Sequence, residues 1–171
     1  MKIFFVFALC ISSLALFAQD PEANLVALNI TLPNAASPAA NYVNAVRTGN
    51  LLYLAGKGPS LPDGKYMTGK LGRDLSIEQG YEAARLTAIM QIAVLKHELG
   101  DLKRVKRIVK VLGMVNATED FTDQSKVMNG FSDMMVAVFG EKGKHARSSV
   151  GMCSLPFGIA VEVELIVEIE D

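Results

Sequence analysis

One arginine in this 171-residue chain stands where it could do chemistry. Arg147 follows directly on the charged loop Glu141-Lys142-Gly143-Lys144-His145 and opens a strand-like run, Arg147 to Leu155. A guanidinium at a strand end presents a fixed fork of N–H donors that matches the two oxygens of a carboxylate. It can equally pair with a carboxylate of its own chain, and the last strand carries four: Glu162, Glu164, Glu168 and Glu170. From residue chemistry alone that ion pair is the simpler reading, and the ligand clamp stands beside it. Lys106, Arg107 and Lys110 offer the glutamates cross-strand partners of their own. Other chemistry is sparse. His97 lies between Lys96 and Glu98 on a helix and reads as solvated, while His145 belongs to the charged loop. Two distant histidines make no metal site, and there is no Gly-rich phosphate loop, no GxSxG, no paired cysteine spacing and no HExxH. Neither a metal nor another cofactor is expected.

The elements that must position these residues are legible from periodicity. Leu25 to Leu32 is strand-like, and Tyr42 to Arg47 and Leu51 to Gly56 form a hairpin through Thr48-Gly49-Asn50. A loop rich in Gly and Pro, Gly58 to Gly72, leads to a helix. Ser76 and Gln79 form its capping box, Gly100 ends it, and Ile77, Tyr81, Ala84, Ala88, Ile92, Leu95 and Leu99 make one apolar face. Val105 to Val115 reads as a strand, with Lys106 and Lys110 on one face and Arg107, Val109 and Val111 on the other. A second helix spans about Thr122 to Phe139, with Val127, Phe131, Met134 or Met135, and Val138 inward. Arg147 to Leu155 and Ile159 to Glu170 read as a closing hairpin around Pro156-Phe157-Gly158. In its second arm Val161, Val163, Leu165, Val167 and Ile169 share the face opposite the glutamates. The expectation is an α+β domain: one mixed β-sheet with two helices on one face.

Composition divides the chain in two. Residues 1–18 hold 15 hydrophobic residues behind Lys2 and end at Ala18, the layout of a secretory signal peptide cleaved near that point. A retained anchor is the competing reading. Residues 19–171 are then a single domain, exported to the periplasm or secreted, with no membrane segment after leader removal. Cys153 is the one cysteine of that domain, so no internal disulfide is available. The formal charge of −1 becomes −2 when Lys2 leaves, which argues against a nucleic-acid partner.

Several stretches together resemble the Rid family, the reactive intermediate deaminases of RidA/YjgF type, also known under the old label endoribonuclease L-PSP. They are Asn41 to Val46, Gly49 to Gly56, Gly69-Lys70-Leu71-Gly72, His145-Ala146-Arg147-Ser148-Ser149-Val150-Gly151, Leu155-Pro156 and Val161-Glu162-Val163-Glu164. The resemblance spans roughly residues 36 to 170. It implies a chorismate-mutase-like (RidA/YjgF-like) fold assembled as a homotrimer, with ligand clefts between subunits. It implies that Arg147 binds a substrate carboxylate and that Glu162 positions or activates a water. Tyr42 and Asn129 would line the cleft, and Gly56 and Ser149 would offer it backbone groups. The implied reaction is hydrolysis of small 2-imino or enamino acids (the 2-iminobutanoate/2-iminopropanoate type) to 2-keto acids and ammonia, without a cofactor. The alternative is a non-catalytic or holdase-like trimer that binds a small carboxylate in the same cleft. RNA cleavage follows from the old label alone. The chain departs from the family pattern at Ala55-Gly56-Lys57, where Ser-Gly-Gln is frequent, and at the longer segment Gly140 to His145.

Overall fold

The strand with the strictest alternation is the one that ends up in the middle of the sheet. The computed structural model describes residues 20–35 and 40–170; the expected signal peptide, residues 1–18, lies outside the described residues. Five strands, β1 (Ala45–Thr48), β2 (Leu51–Lys57), β3 (Val105–Asn116), β4 (Ala146–Met152) and β5 (Val161–Ile169), form one sheet in the order β1-β2-β5-β3-β4. β3 and β4 run parallel and every other pair is antiparallel, so the sheet is mixed, as expected. Val161, Val163, Leu165, Val167 and Ile169 are all buried, because two long helices cover that face of β5.

Those helices are α2 (Ile77–Leu99) and α3 (Gln124–Phe139), and a short α1 (Pro21–Ala27) precedes them in the chain. α2 starts on the expected capping box: Ser76 Oγ accepts from the Gln79 backbone amide, and Gln79 Oε1 accepts from the Ser76 backbone amide. It stops at Gly100, whose φ of 74° is the left-handed turn that glycine takes at no steric cost. The two helices approach so closely that a Cβ on Gly130 would strike the Tyr81 carbonyl. Ile92, Leu95, Phe131, Met135 and Phe139 fill the space between helices and sheet. Each such side chain contributes about 1.5–3 kcal/mol by leaving water.

Three expectations are corrected. Leu25 to Leu32 is not a strand: Asp20 accepts from the amides of Glu22 and Ala23, Pro21 sits in the first turn, and α1 runs to Ala27. β4 and β5 are not a hairpin. The 3-10 turn at Pro156–Gly158 carries the chain past β3, so β4 lies parallel to β3 on its outer side while β5 pairs with β2 and β3. The faces of β3 also differ, because register shifts after Val105 and after Ile108 put Val105, Ile108 and Val111 on the buried side. The segment after α3 forms a 3-10 turn, Gly140–Gly143.

Candidate functional site

Arg147 is the second residue of the edge strand β4, and what holds it is α3. Its Nη1 donates to Ser132 Oγ at 2.9 Å, and its Nη2 donates to the Ser125 carbonyl at 3.2 Å and Asn129 Oδ1 at 3.1 Å. The three acceptors recur at steps of four and three along α3, one polar stripe beside its apolar face. All three are neutral, and among the described residues Arg147 has no ion pair. The expected alternative, an ion pair with a glutamate of the last strand, is therefore overturned: β3 stands between β4 and β5. Lys106 takes Glu168 instead, at 2.7 Å, while Lys110 donates to Ser148 Oγ. A guanidinium has five N–H groups, and three bonds leave two of them. Burial lowers the Arg147 pKa and the charge of Asp133 opposes that shift; an arginine stays charged regardless.

His145 completes this cluster, packed edge-on to Phe131. It is no loop residue in open water: its Nε2 lies 3.0 Å from Ser132 Oγ, and its Nδ1 2.7 Å from the Gly143 carbonyl. Burial pushes its pKa down; the Gly143 carbonyl opposes this, and the Arg147 charge adds to it. Ser149, two residues beyond Arg147, points its hydroxyl to the same side, where Oγ is buried with no hydrogen-bond partner.

Glu162 forms a second cluster. It is half-buried on β5 and lies against Gly56, where a Cβ would overlap its carboxylate. The close approach is made by a bulge in β2: Leu54 pairs with Leu165 and Lys57 with Val163, so two residues face one. Gln91 of α2, fully buried, plugs that bulge by donating to the carbonyls of Ala55 and Val163. Desolvation raises the Glu162 pKa and the neighbouring Glu164 adds to the rise. Lys57 donates to Asn44 Oδ1 at 2.6 Å, and burial lowers its pKa. Tyr42 lies ahead of β1 and is 55% exposed.

The two clusters lie on opposite faces. Arg147 pairs with Val111 and Ser149 with Gly113, on the helix-covered side; Glu162 pairs with Met114, on the bare side. The structure thus joins Arg147 with Asn129, and Gly56 with Glu162, but keeps the pairs apart within one chain. Ser125, Ser132 and the burial of His145 escaped the reading of the sequence. The signal was present in the helical spacing of Ser125, Asn129 and Ser132, although nothing local says which strand the stripe meets.

A five-stranded mixed sheet, two long helices on one face and a clamped arginine at the parallel edge strand define a class of small α+β proteins. The chain belongs to one family of that class: residues 22–169 match the model described as "YjgF/chorismate mutase-like, putative endoribonuclease". Protein TCP17 of Trypanosoma cruzi is 48% identical over 150 residues, covering 87% of this chain and 94% of that one. Among solved structures, the protein Atu1372 from Agrobacterium tumefaciens, described as of unknown function, is 41% identical with a TM-score of 0.82. It covers 90% of this chain and 96% of its own. A structure from Shewanella oneidensis titled a putative endoribonuclease is 34% identical with a TM-score of 0.84, covering 88% and 99%.

Proposed function

We propose that the chain is an exported RidA-type deaminase that hydrolyses small 2-imino or enamino acids, built as a homotrimer whose clefts take Arg147 from one subunit and Glu162 from another. The observation that carries the proposal is Arg147, fixed by three neutral acceptors of α3 with two donors left over and, among the described residues, no ion pair. Such a charge favours an anionic ligand group. Support for the assembly comes from the bare face of the sheet. There Val46, Tyr53 and Val150 are exposed, and a cavity of about 490 Å³ is lined by Tyr53, Leu112, Glu164 and Ile166 among others. An apolar face of this kind favours a second copy over water.

In the proposed reaction Arg147 holds the substrate carboxylate. A water adds its oxygen to C2 of the imine while its proton passes to Glu162. That proton then goes to the nitrogen, giving a carbinolamine; the C2 hydroxyl passes its own proton through Glu162 to the nitrogen as the C–N bond breaks, so ammonia leaves a 2-oxo acid. Its raised pKa makes the Glu162 carboxylate a stronger base, which suits a group that must take a proton and return it. Ammonia and 2-oxo acid release from imino acids generated in situ by an amino-acid oxidase tests this. The wild type should accelerate release, and Glu162→Gln should lose about 10²–10⁴ of the rate while keeping its affinity for pyruvate. Arg147→Ala should lose the affinity. Pyruvate binding without any acceleration of release would leave the non-catalytic binder instead. Unchanged affinity in Arg147→Ala would end the clamp.

A further inference from the structure

We propose that Ser132 and His145 are positioning residues for Arg147, forming a one-way chain of hydrogen bonds that fixes the guanidinium and dictates the imidazole tautomer. This rests on the reading of Arg147 as the carboxylate clamp, and it adds the residues that aim it.

The direction of the chain follows from what each atom can do. Arg147 Nη1 can only donate, so Ser132 Oγ accepts from it at 2.9 Å. The Gly143 carbonyl can only accept, so His145 Nδ1, 2.7 Å away, carries a proton. Ser132 has a single hydroxyl proton, and His145 Nε2 lies 3.0 Å from its oxygen. With Nδ1 protonated and the ring neutral, Nε2 is a bare acceptor and takes that proton. Every group is then used once in one sense: Arg147 to Ser132, Ser132 to His145, His145 to Gly143. The imidazolium form breaks the sequence, because Nε2–H donates and can no longer accept the serine proton. It would also set a second positive charge beside the first.

The surroundings favour the neutral ring. The charged groups around it are Arg147 on β4, Lys144 next in the chain and Arg107 on β3, with Asp133 of α3 acting on Arg147. Beside the chain lies a cavity of about 230 Å³ lined by Ser132, Val136, Lys144, His145 and Arg147. Arg147 thus borders open space beside the two residues that hold it.

Nitrogen-15 NMR of the labelled full chain tests the inference without relying on turnover. Long-range proton–nitrogen spectra should show neutral His145 as the Nδ1–H tautomer. The Arg147 Nε–H resonance should shift with the His145 titration. Ser132→Ala should reduce that shift to what the imidazole charge exerts through space, and Ser132→Thr, which keeps the hydroxyl, should restore it in full. In a second arm, pyruvate affinity should fall about tenfold in Ser132→Ala and return to within about threefold of wild type in Ser132→Thr. An Nε2–H tautomer, or an Arg147 resonance indifferent to Ser132→Ala, overturns the proposal. Wild-type protein that shows the tautomer and the coupling but binds no 2-oxo acid overturns the clamp and leaves the chain of hydrogen bonds standing.

Discussion

On the helix-covered side of the sheet, Arg147 is surrounded by groups that hold it; on the bare side, Glu162 is surrounded by groups that only crowd it. The arginine has three acceptors from one helix and a histidine behind one of them. The glutamate is pressed against Gly56 beside a β-bulge, and among the described residues nothing donates to its carboxylate. One chain can therefore preorganise the cation fully, whereas it raises the pKa of the carboxyl by desolvation and leaves its partners to come from elsewhere. The difference marks what one chain arranges by itself and what the proposed assembly would have to add.

The largest expected effect tests that boundary directly. Arg147→Ala and Glu162→Gln chains, each nearly inactive alone, should regain activity when refolded together. In randomly mixed trimers with sites shared between neighbours, about a quarter of the sites would receive both wild-type residues. Native mass spectrometry would verify that hybrids had formed. Verified hybrids with no recovered ammonia release would mean that the two residues do not serve one shared site.

A smaller effect separates holding from crowding. Gly56→Ala places a Cβ where the Glu162 carboxylate now lies, and the end of that flexible side chain must move. Displacements of about 1 Å at a reacting group can cost about 10²-fold. Turnover should fall by about ten- to a hundredfold, with pyruvate affinity within about twofold of wild type because Arg147 is untouched. Equal loss of affinity would tie the two faces together more closely than the sheet allows.

Much of this was readable in the sequence, and the misses have physical causes. The capping box of α2 and the alternation of β5 are local signals that tertiary structure had no reason to override. The pairing of β4 is non-local. Pro156-Phe157-Gly158 has hairpin chemistry, yet β5 takes its backbone hydrogen bonds from β2 and β3 while its apolar row lies under the helices, leaving β4 at the edge. At the N-terminus, the alternation of Leu25 to Leu32 obscured Asp20-Pro21, itself a helix-start signature. Asn129 was matched to the cleft through a resemblance, and it touches Arg147. Ser125 and Ser132 share its helical stripe, but that stripe gains meaning only when α3 is laid across β4. Glu162 shows the reverse: its type and face were legible, its closeness to Gly56 was not, because a bulge cannot be read from one strand.

The smallest expected effect concerns stability. Glu162 has a folded-state pKa above the ordinary value of 4.5, with burial the larger cause and Glu164 the second. Between those two values the folded chain binds more protons at this site than the unfolded chain does. Stability therefore falls as pH rises through that window, and the loss is complete above the folded pKa. Glu162→Gln removes the titration, so the variant should melt higher than wild type at neutral pH. The difference should shrink as pH falls and vanish below the ordinary glutamate value. Arg147 predicts no such crossing, since it stays charged throughout. Melting curves of both proteins from pH 4 to pH 8 check this. A Glu162→Gln variant that melts lower than wild type at neutral pH would mean that the carboxylate is held after all, and that the contrast between the two faces is false.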